Sequence, residues 1–189
     1  MRRTLLALFL IAATACGGTG QQSHLSIPRQ EAGGTTEPAR TVSIYAAVLR
    51  RLLSDDNSGE RSHWGFKVVY VLDGAVERAE DPDVDIDRLK PWRAFSNRVK
   101  EGIREALSDL PPVTFVQERG SVIGGAAPGQ VVNAGILATV GPIAGHGTRV
   151  EVGANSRRNG LAGRWQRYVV ELQGGAWEVT GTTGPVAIS

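Results

Sequence analysis

Few side chains in this chain have the type and spacing that chemistry needs. The only thiol is Cys16, and the only imidazoles are His24, His63 and His146. A hydrolytic or metal site needs an imidazole held beside a carboxylate or a second ligand, which leaves His63 or His146 as the base of any such site. Asp81, Asp83, Asp85 and Asp87 fall at every second position, where carboxylates converge on calcium only if the backbone turns sharply. The sixth and twelfth positions of a helix–loop–helix calcium loop are Gly and Glu. Here they are Ile86 and Trp92, so the stretch reads as a solvated acidic loop. Gly124-Gly125-Ala126-Ala127-Pro128-Gly129 invites a phosphate-loop reading, but Gln130 and Val131 replace the Lys and Ser/Thr that hold phosphate and magnesium. Neither a Gly-x-Ser-x-Gly turn nor a His-Glu-x-x-His helix occurs. Fourteen acids between residues 41 and 118 make carboxylate pairs of the glycosidase kind common by chance, so spacing alone identifies none. Motifs therefore assign no catalytic residue, no metal and no cofactor.

The chain starts with Arg2 and Arg3, an apolar run from Leu5 to Ala13, and Ala13-Thr14-Ala15 leading into Cys16. This run resembles a bacterial lipoprotein signal. The resemblance implies that residues 1–15 are a signal peptide removed before Cys16, and that the Cys16 thiol carries diacylglycerol. It also places the protein at the cell membrane, lipid-anchored and facing outside the cytoplasm. Small residues at Ala13 and Ala15 suit a peptidase that closes around extended backbone. Plain secretion with an incidental Cys16 and a retained span are the alternatives. An apolar core of about ten residues is short for a bilayer, which needs roughly 20.

Without residues 1–15 the chain has nineteen basic and nineteen acidic residues, so the pI near 9.0 is partly a property of the signal. A balanced charge argues against nucleic acid as a partner, since phosphate binding needs a sustained basic surface. With Cys16 lipidated, disulfides and cysteine–zinc sites are excluded. Residues 17–40 are Gly, Thr, Gln, Ser and Pro-rich with no apolar periodicity, and 16–40 read as the lipidated cysteine plus a tether. A flexible coil of that length spans roughly 27 Å. Residues 41–189 suit one domain.

Positioning any site falls to the elements of that domain. Thr41 or Ser43 caps a first helix bearing Ile44, Val48, Leu49 and Leu52 at helical spacing. Phe66–Val71 alternates two largely apolar sets, the mark of a central strand buried on both faces and ending at Asp73-Gly74. Trp92, Phe95, Val99, Ile103, Leu107 and Leu110 align on one stripe of a second helix that Pro111-Pro112 ends. Strands are expected at Val113–Gln117, Val131–Val140 and Arg149–Val152, with Asn155–Gly163 as a loop or short helix. Trp165–Gln173 and Ala176–Thr180 flank Gly174-Gly175 and predict a hairpin. The expectation is an α+β domain, with two helices packed on a mostly antiparallel sheet of about five to six strands.

This order of elements and the closing Trp177–Pro185 run resemble uncharacterised secreted lipoproteins of actinobacteria. They also resemble, distantly, nuclear-transport-factor-like and cystatin-like domains. No catalytic residue follows from that likeness. Gly120–Thr148 carries no Asp, Glu, Lys or Arg, and its glycine loops are the expected binding surface, with Gly124, Gly125, Gly145 and His146 as candidate residues. Arg157 and Arg158 add a candidate patch for an acidic partner. Three functional readings stay open. One is a lipid-anchored, non-catalytic binding domain for an envelope protein or a small apolar ligand. The others are an envelope-polymer hydrolase using His63 or His146 with a carboxylate, and a structural or regulatory subunit pairing through a sheet edge.

Overall fold

The computed structural model describes residues 36–56, 65–84, 91, 93–125 and 127–189. Cys16, His24, His63, Asp85, Asp87 and Trp92, on which several expectations fell, lie outside the described residues. None of the described helices is long and apolar enough to cross a membrane.

The first helix, α1, spans Glu37–Asp56. It starts four residues ahead of the expected domain boundary at 41, because Glu37 suits the positive end of the helix dipole and Pro38 suits an early helical position. Ser43, an expected cap, instead donates within the helix to the Ala39 carbonyl at 3.0 Å. Ile44, Val48, Leu49, Leu52 and Leu53 are fully buried, as the helical spacing requires.

The first strand, β1, is Val69–Ala75, buried at every position. The second helix, α2, is Asn97–Ala106. It is shorter than the apolar stripe suggests, because the Ser96 side chain accepts from the Val99 amide and sets the start. Phe95 precedes this cap, its amide held at 3.2 Å by Asp73 at the end of β1. Lys100 donates to the other carboxylate oxygen of Asp73 at 2.9 Å, so this nearly buried acid ties α2 to the strand. Leu107 and Leu110 are buried in the turns that follow.

The remaining strands are β2 (Val113–Val116), β3 (Ile136–Ala144), β4 (Arg149–Asn159), β5 (Ala162–Gln173) and β6 (Ala176–Ile188). They form one six-stranded sheet in the order β2-β1-β3-β4-β5-β6. β1 pairs in parallel with β2 and β3, while the β3–β4, β4–β5 and β5–β6 ladders are antiparallel. The class is α+β, as expected from sequence. Parallel neighbours on both sides explain why β1 reads as a continuous apolar run. The hairpin at Gly174-Gly175 forms as expected, both glycines having positive φ (58° and 90°).

Two expectations shift. Val132–Ala134 is a short 3-10 turn, so the strand there starts at Ile136 and not at Val131. Asn155–Gly163 is neither loop nor short helix. β4 continues to Asn159 and β5 starts at Ala162, leaving a tight turn. Asn155 and Ser156 are buried, and Arg158 is half-buried with an aromatic partner. The Asn155 amide donates to the Ala79 carbonyl at 2.6 Å, and the Arg158 guanidinium lies 5.4 Å over the Phe66 ring.

The helices cover one face of the sheet. Ile44, Leu49, Leu52 and Ile103 pack there on Val71, Ala138, Val152 and Tyr168. The opposite face holds a smaller cluster, Tyr70, Val122, Val131 and Leu137, beside the 3-10 turns Arg119–Val122 and Val132–Ala134.

Candidate functional site

One side of α1, from the edge of the core outward, presents Ser43, Ala46, Ala47, Arg50, Arg51 and Ser54, spaced by three and four. Most of these side chains are short, which leaves room between the helix and the start of β6. That room is a groove of about 670 Å³, closed by Ala106 at the end of α2 and by Gly175–Val179 of the β5–β6 hairpin. Its length along α1 from Ser43 to Ser54 is about 16 Å at the helical rise per residue. The volume falls within the range of small-molecule sites.

The walls differ. Ala46, Ala47, Ala106, Ala176, Trp177 and Val179 make an apolar lining, while Arg50 and Arg51 bring guanidinium groups toward one end. Arg50 is held rigidly. It donates to both oxygens of Asp109 at 2.6 and 2.9 Å and to the Ala106 carbonyl at 2.7 Å. The Arg50 guanidinium in turn holds the Asp109 carboxyl below the usual carboxylate range. Arg40 lies 5.1 Å over the Trp177 ring, which fixes the aromatic wall. A guanidinium stays charged at any physiological pH and cannot act as a base. The groove is thus an apolar trough edged by two arginines, of which Arg50 is balanced by Asp109, with Glu178 the one acidic residue in its lining.

The structure divides the residues singled out from sequence into two distant groups. Gly124 and Gly125 both donate backbone N–H groups to the Gln130 carbonyl, at 3.0 and 3.2 Å, and Val131 donates to the Arg158 carbonyl at 2.9 Å. Their loop therefore lies against the β4–β5 hairpin and comes close to Arg157, whose guanidinium approaches Gly129. Arg158 faces the helix side over Phe66, whereas Arg157, its neighbour in the strand, faces the other way. Gly145 and His146 sit in the β3–β4 turn at the far end of β4, beyond Arg149, which is itself about 26 Å from Arg157 by the rise of a strand. His146 is exposed there. A second groove of about 610 Å³ does lie at the first group, lined by Ala127, Pro128, Gln130, Asn159, Gly160 and Leu161.

Only the first half of the acidic stretch, to Val84, lies within the described residues. Asp81 accepts from the Asp83 amide at 2.9 Å and pairs with Arg78, and no group of three metal-binding side chains occurs among the described residues. Glu80 crosses onto the sheet and pairs with Arg167, which also lies 3.7 Å from Glu151. This crossing requires Gly153, since a Cβ there would collide with the Glu80 carboxylate. Thr183 of β6 donates to Glu151 at 3.3 Å, so the network locks the middle of the open face.

Sequence reasoning missed the α1 groove because alanines and serines on a helix exterior are ordinary helix formers. The available signal was their shortness at four of the six positions where an outer face carries long polar side chains. Comparison of the chain with family models, with curated proteins and with solved structures gives no match.

Proposed function

We propose that this is a lipid-anchored protein of the cell envelope whose domain binds, without catalysis, an apolar or amphipathic ligand in the groove between α1 and the β5–β6 hairpin. The lipoprotein-like run ending at Cys16 supports the anchor. The observation that carries the binding role is the groove itself, an apolar trough of about 670 Å³ with the rigidly held Arg50 guanidinium at its side. Trp177 supplies a large face for apolar contact.

The hydrolase reading gains nothing from His146, which stands exposed in a turn and not in a cleft beside a carboxylate. The edge-pairing reading meets a physical obstacle in β6. Its ladder with β5 is broken by irregularities opposite Trp165/Arg167 and Val169/Val170, and Gly184-Pro185 interrupts its outer edge. The other edge strand, β2, has four residues.

Two experiments test the two halves of this proposal. Replacing Cys16 by Ser moves the protein from the detergent phase to the aqueous phase if the anchor is a lipid on that thiol, and unchanged partitioning rejects it. Filling the groove with Ala47→Phe or, on the exposed hairpin, Ala176→Trp abolishes ligand binding while leaving the melting temperature within a few degrees. Unaltered binding rejects the groove.

A further inference from the structure

Asn159-Gly160 is the one Asn-Gly pair in the chain, since Asn57, Asn97, Asn133 and Asn155 precede Ser, Arg, Ala and Ser. The pair lies in the tight turn from β4 to β5, and Asn159, Gly160 and Leu161 are all exposed to water. Asn159 Oδ1 accepts from the Leu161 amide at 2.8 Å, an Asx turn that folds the carboxamide back along the Gly160 peptide between them. Arg157 Nε donates to the Asn159 carbonyl at 3.2 Å, so a permanent positive charge rests on the peptide group whose nitrogen belongs to Gly160. Gly160 has no Cβ to screen that nitrogen. Neither the Gly160 N–H nor Asn159 Nδ2 donates a hydrogen bond among the described residues. The other described asparagines are held differently. Asn155 is buried with its amide on the Ala79 carbonyl, Asn133 donates to the Tyr70 hydroxyl at 2.8 Å, and Asn97 opens α2 ahead of Arg98.

We propose that Asn159 is a site of self-modification, at which the folded chain converts its own asparagine to aspartate and isoaspartate. The Gly160 nitrogen gives up its proton to solvent base and attacks Asn159 Cγ. A C–N bond forms and closes a cyclic succinimide, while the Cγ–Nδ2 bond breaks and the amide departs as ammonia after taking up a proton. Water then adds to either imide carbonyl and opens the ring, so the net change is one water consumed and one ammonia released. The Arg157 guanidinium stabilises the anion of the attacking peptide, because its charge is shared with the Asn159 carbonyl oxygen that Arg157 already holds. The Leu161 amide stabilises the negative charge that develops on Oδ1 as Cγ is attacked. The product places a carboxylate in the lining of the second groove, where Asn159 stands with Pro128 and Leu161. Its isoaspartate form also adds a methylene to the main chain at the Asn159–Ala162 pair that closes the turn. The inference depends on neither the lipid anchor nor the α1 groove.

The test is mass spectrometry of the full chain held at neutral and at mildly alkaline pH, either folded or unfolded in guanidinium chloride, and then cleaved after glutamate. The fragment 152–171 carries Asn155 and Asn159 together, so one serves as the reference for the other. The expected result is replacement of NH2 by OH at Asn159 of the folded chain, as mixed aspartate and isoaspartate, at least about tenfold faster than at Asn155 or Asn133. The same step is slower at Asn159 of the unfolded chain, which lacks the Arg157 and Leu161 contacts. Its rate in the folded chain rises with pH, because the attacking nitrogen reacts without its proton. Arg157→Met lowers the folded rate to that of the unfolded chain at an unchanged thermal midpoint. An Asn159 that stays intact in the folded chain, or that reacts no faster there than in the unfolded chain, overturns the inference, and this comparison needs no variant. An unaltered rate in folded Arg157→Met overturns it as well.

Discussion

The two faces of the sheet are built from the same alternating strands but are held together by different means. Under the helices, fully buried aliphatic residues such as Ile44, Leu49, Leu52, Ile103 and Val152 pack with Tyr168 into a continuous core. On the other face only four residues, Tyr70, Val122, Val131 and Leu137, form a buried apolar cluster. The rest of that face is held by polar contacts. Arg119 donates to Thr139 at 3.3 Å, Asn155 donates to Ala79, and Arg167 pairs with Glu80. Apolar burial is additive and non-directional, so the helix side carries most of the stability. Polar networks are directional and fix which loops lie where. The groove exploits the boundary between these regimes, where α1 runs out of core and its short outer side chains face the hairpin.

The largest expected effect sharpens this contrast. Leu52→Ala under the helices destabilises by about 3–4 kcal/mol, whereas Val122→Ala in the small cluster costs about 1–2 kcal/mol, read from denaturant midpoints. Equal losses would break the distinction between the faces.

Next comes a pH effect peculiar to the helix side. Tyr45 is buried, donates to the Gly141 carbonyl at 3.2 Å, and burial pushes its hydroxyl up to about 12. The unfolded hydroxyl ionises near 10, so between pH 10 and 12 the native state holds the proton that the unfolded state releases. Stability is therefore intact below pH 10 and falls by about 2–3 kcal/mol as pH rises toward 12. Tyr45→Phe flattens that part of the stability-against-pH curve at a cost of about 1 kcal/mol at neutral pH.

Smaller effects mark the periphery. Ser96→Ala removes the cap of α2 and lowers stability by about 1 kcal/mol, seen as a shift in thermal midpoint. The Arg149–Glu171 pair joins β4 to β5 on the solvent side, and its arginine is largely exposed. Arg149→Ala there costs below about 0.5 kcal/mol, and added salt erases even that difference.

What was legible in the sequence follows the same division. β1 could be placed, though it starts at Val69 and not at Phe66 and runs on to Ala75, because Val69–Leu72 between parallel neighbours is apolar throughout, and Gly174-Gly175 marked the last hairpin because positive φ favours glycine. The stripe of α2 was legible, but its start was not, since Phe95 belongs to the stripe in spacing yet precedes the Ser96 cap. The end of β4 was hidden because its polar residues find partners on both faces of the sheet. Asn155, Ser156, Arg157 and Arg158 look like a loop to any reading based on hydropathy, and only tertiary partners make them a strand. The candidate residues suffered similarly. Glycine loops announce flexibility in sequence, yet Gly125 and Gly145 lie at opposite ends of the sheet, and the groove is lined by alanines that announce nothing.

The groove is tested most directly by titrating an anionic apolar dye, anilinonaphthalene sulfonate, into the protein and into the Ala47→Phe and Ala176→Trp variants. The account predicts saturable binding of one dye per chain, with enhanced emission, at least tenfold weaker in both variants at unchanged thermal midpoint. Equal binding by all three proteins, or weakening only in parallel with loss of folding, would contradict it.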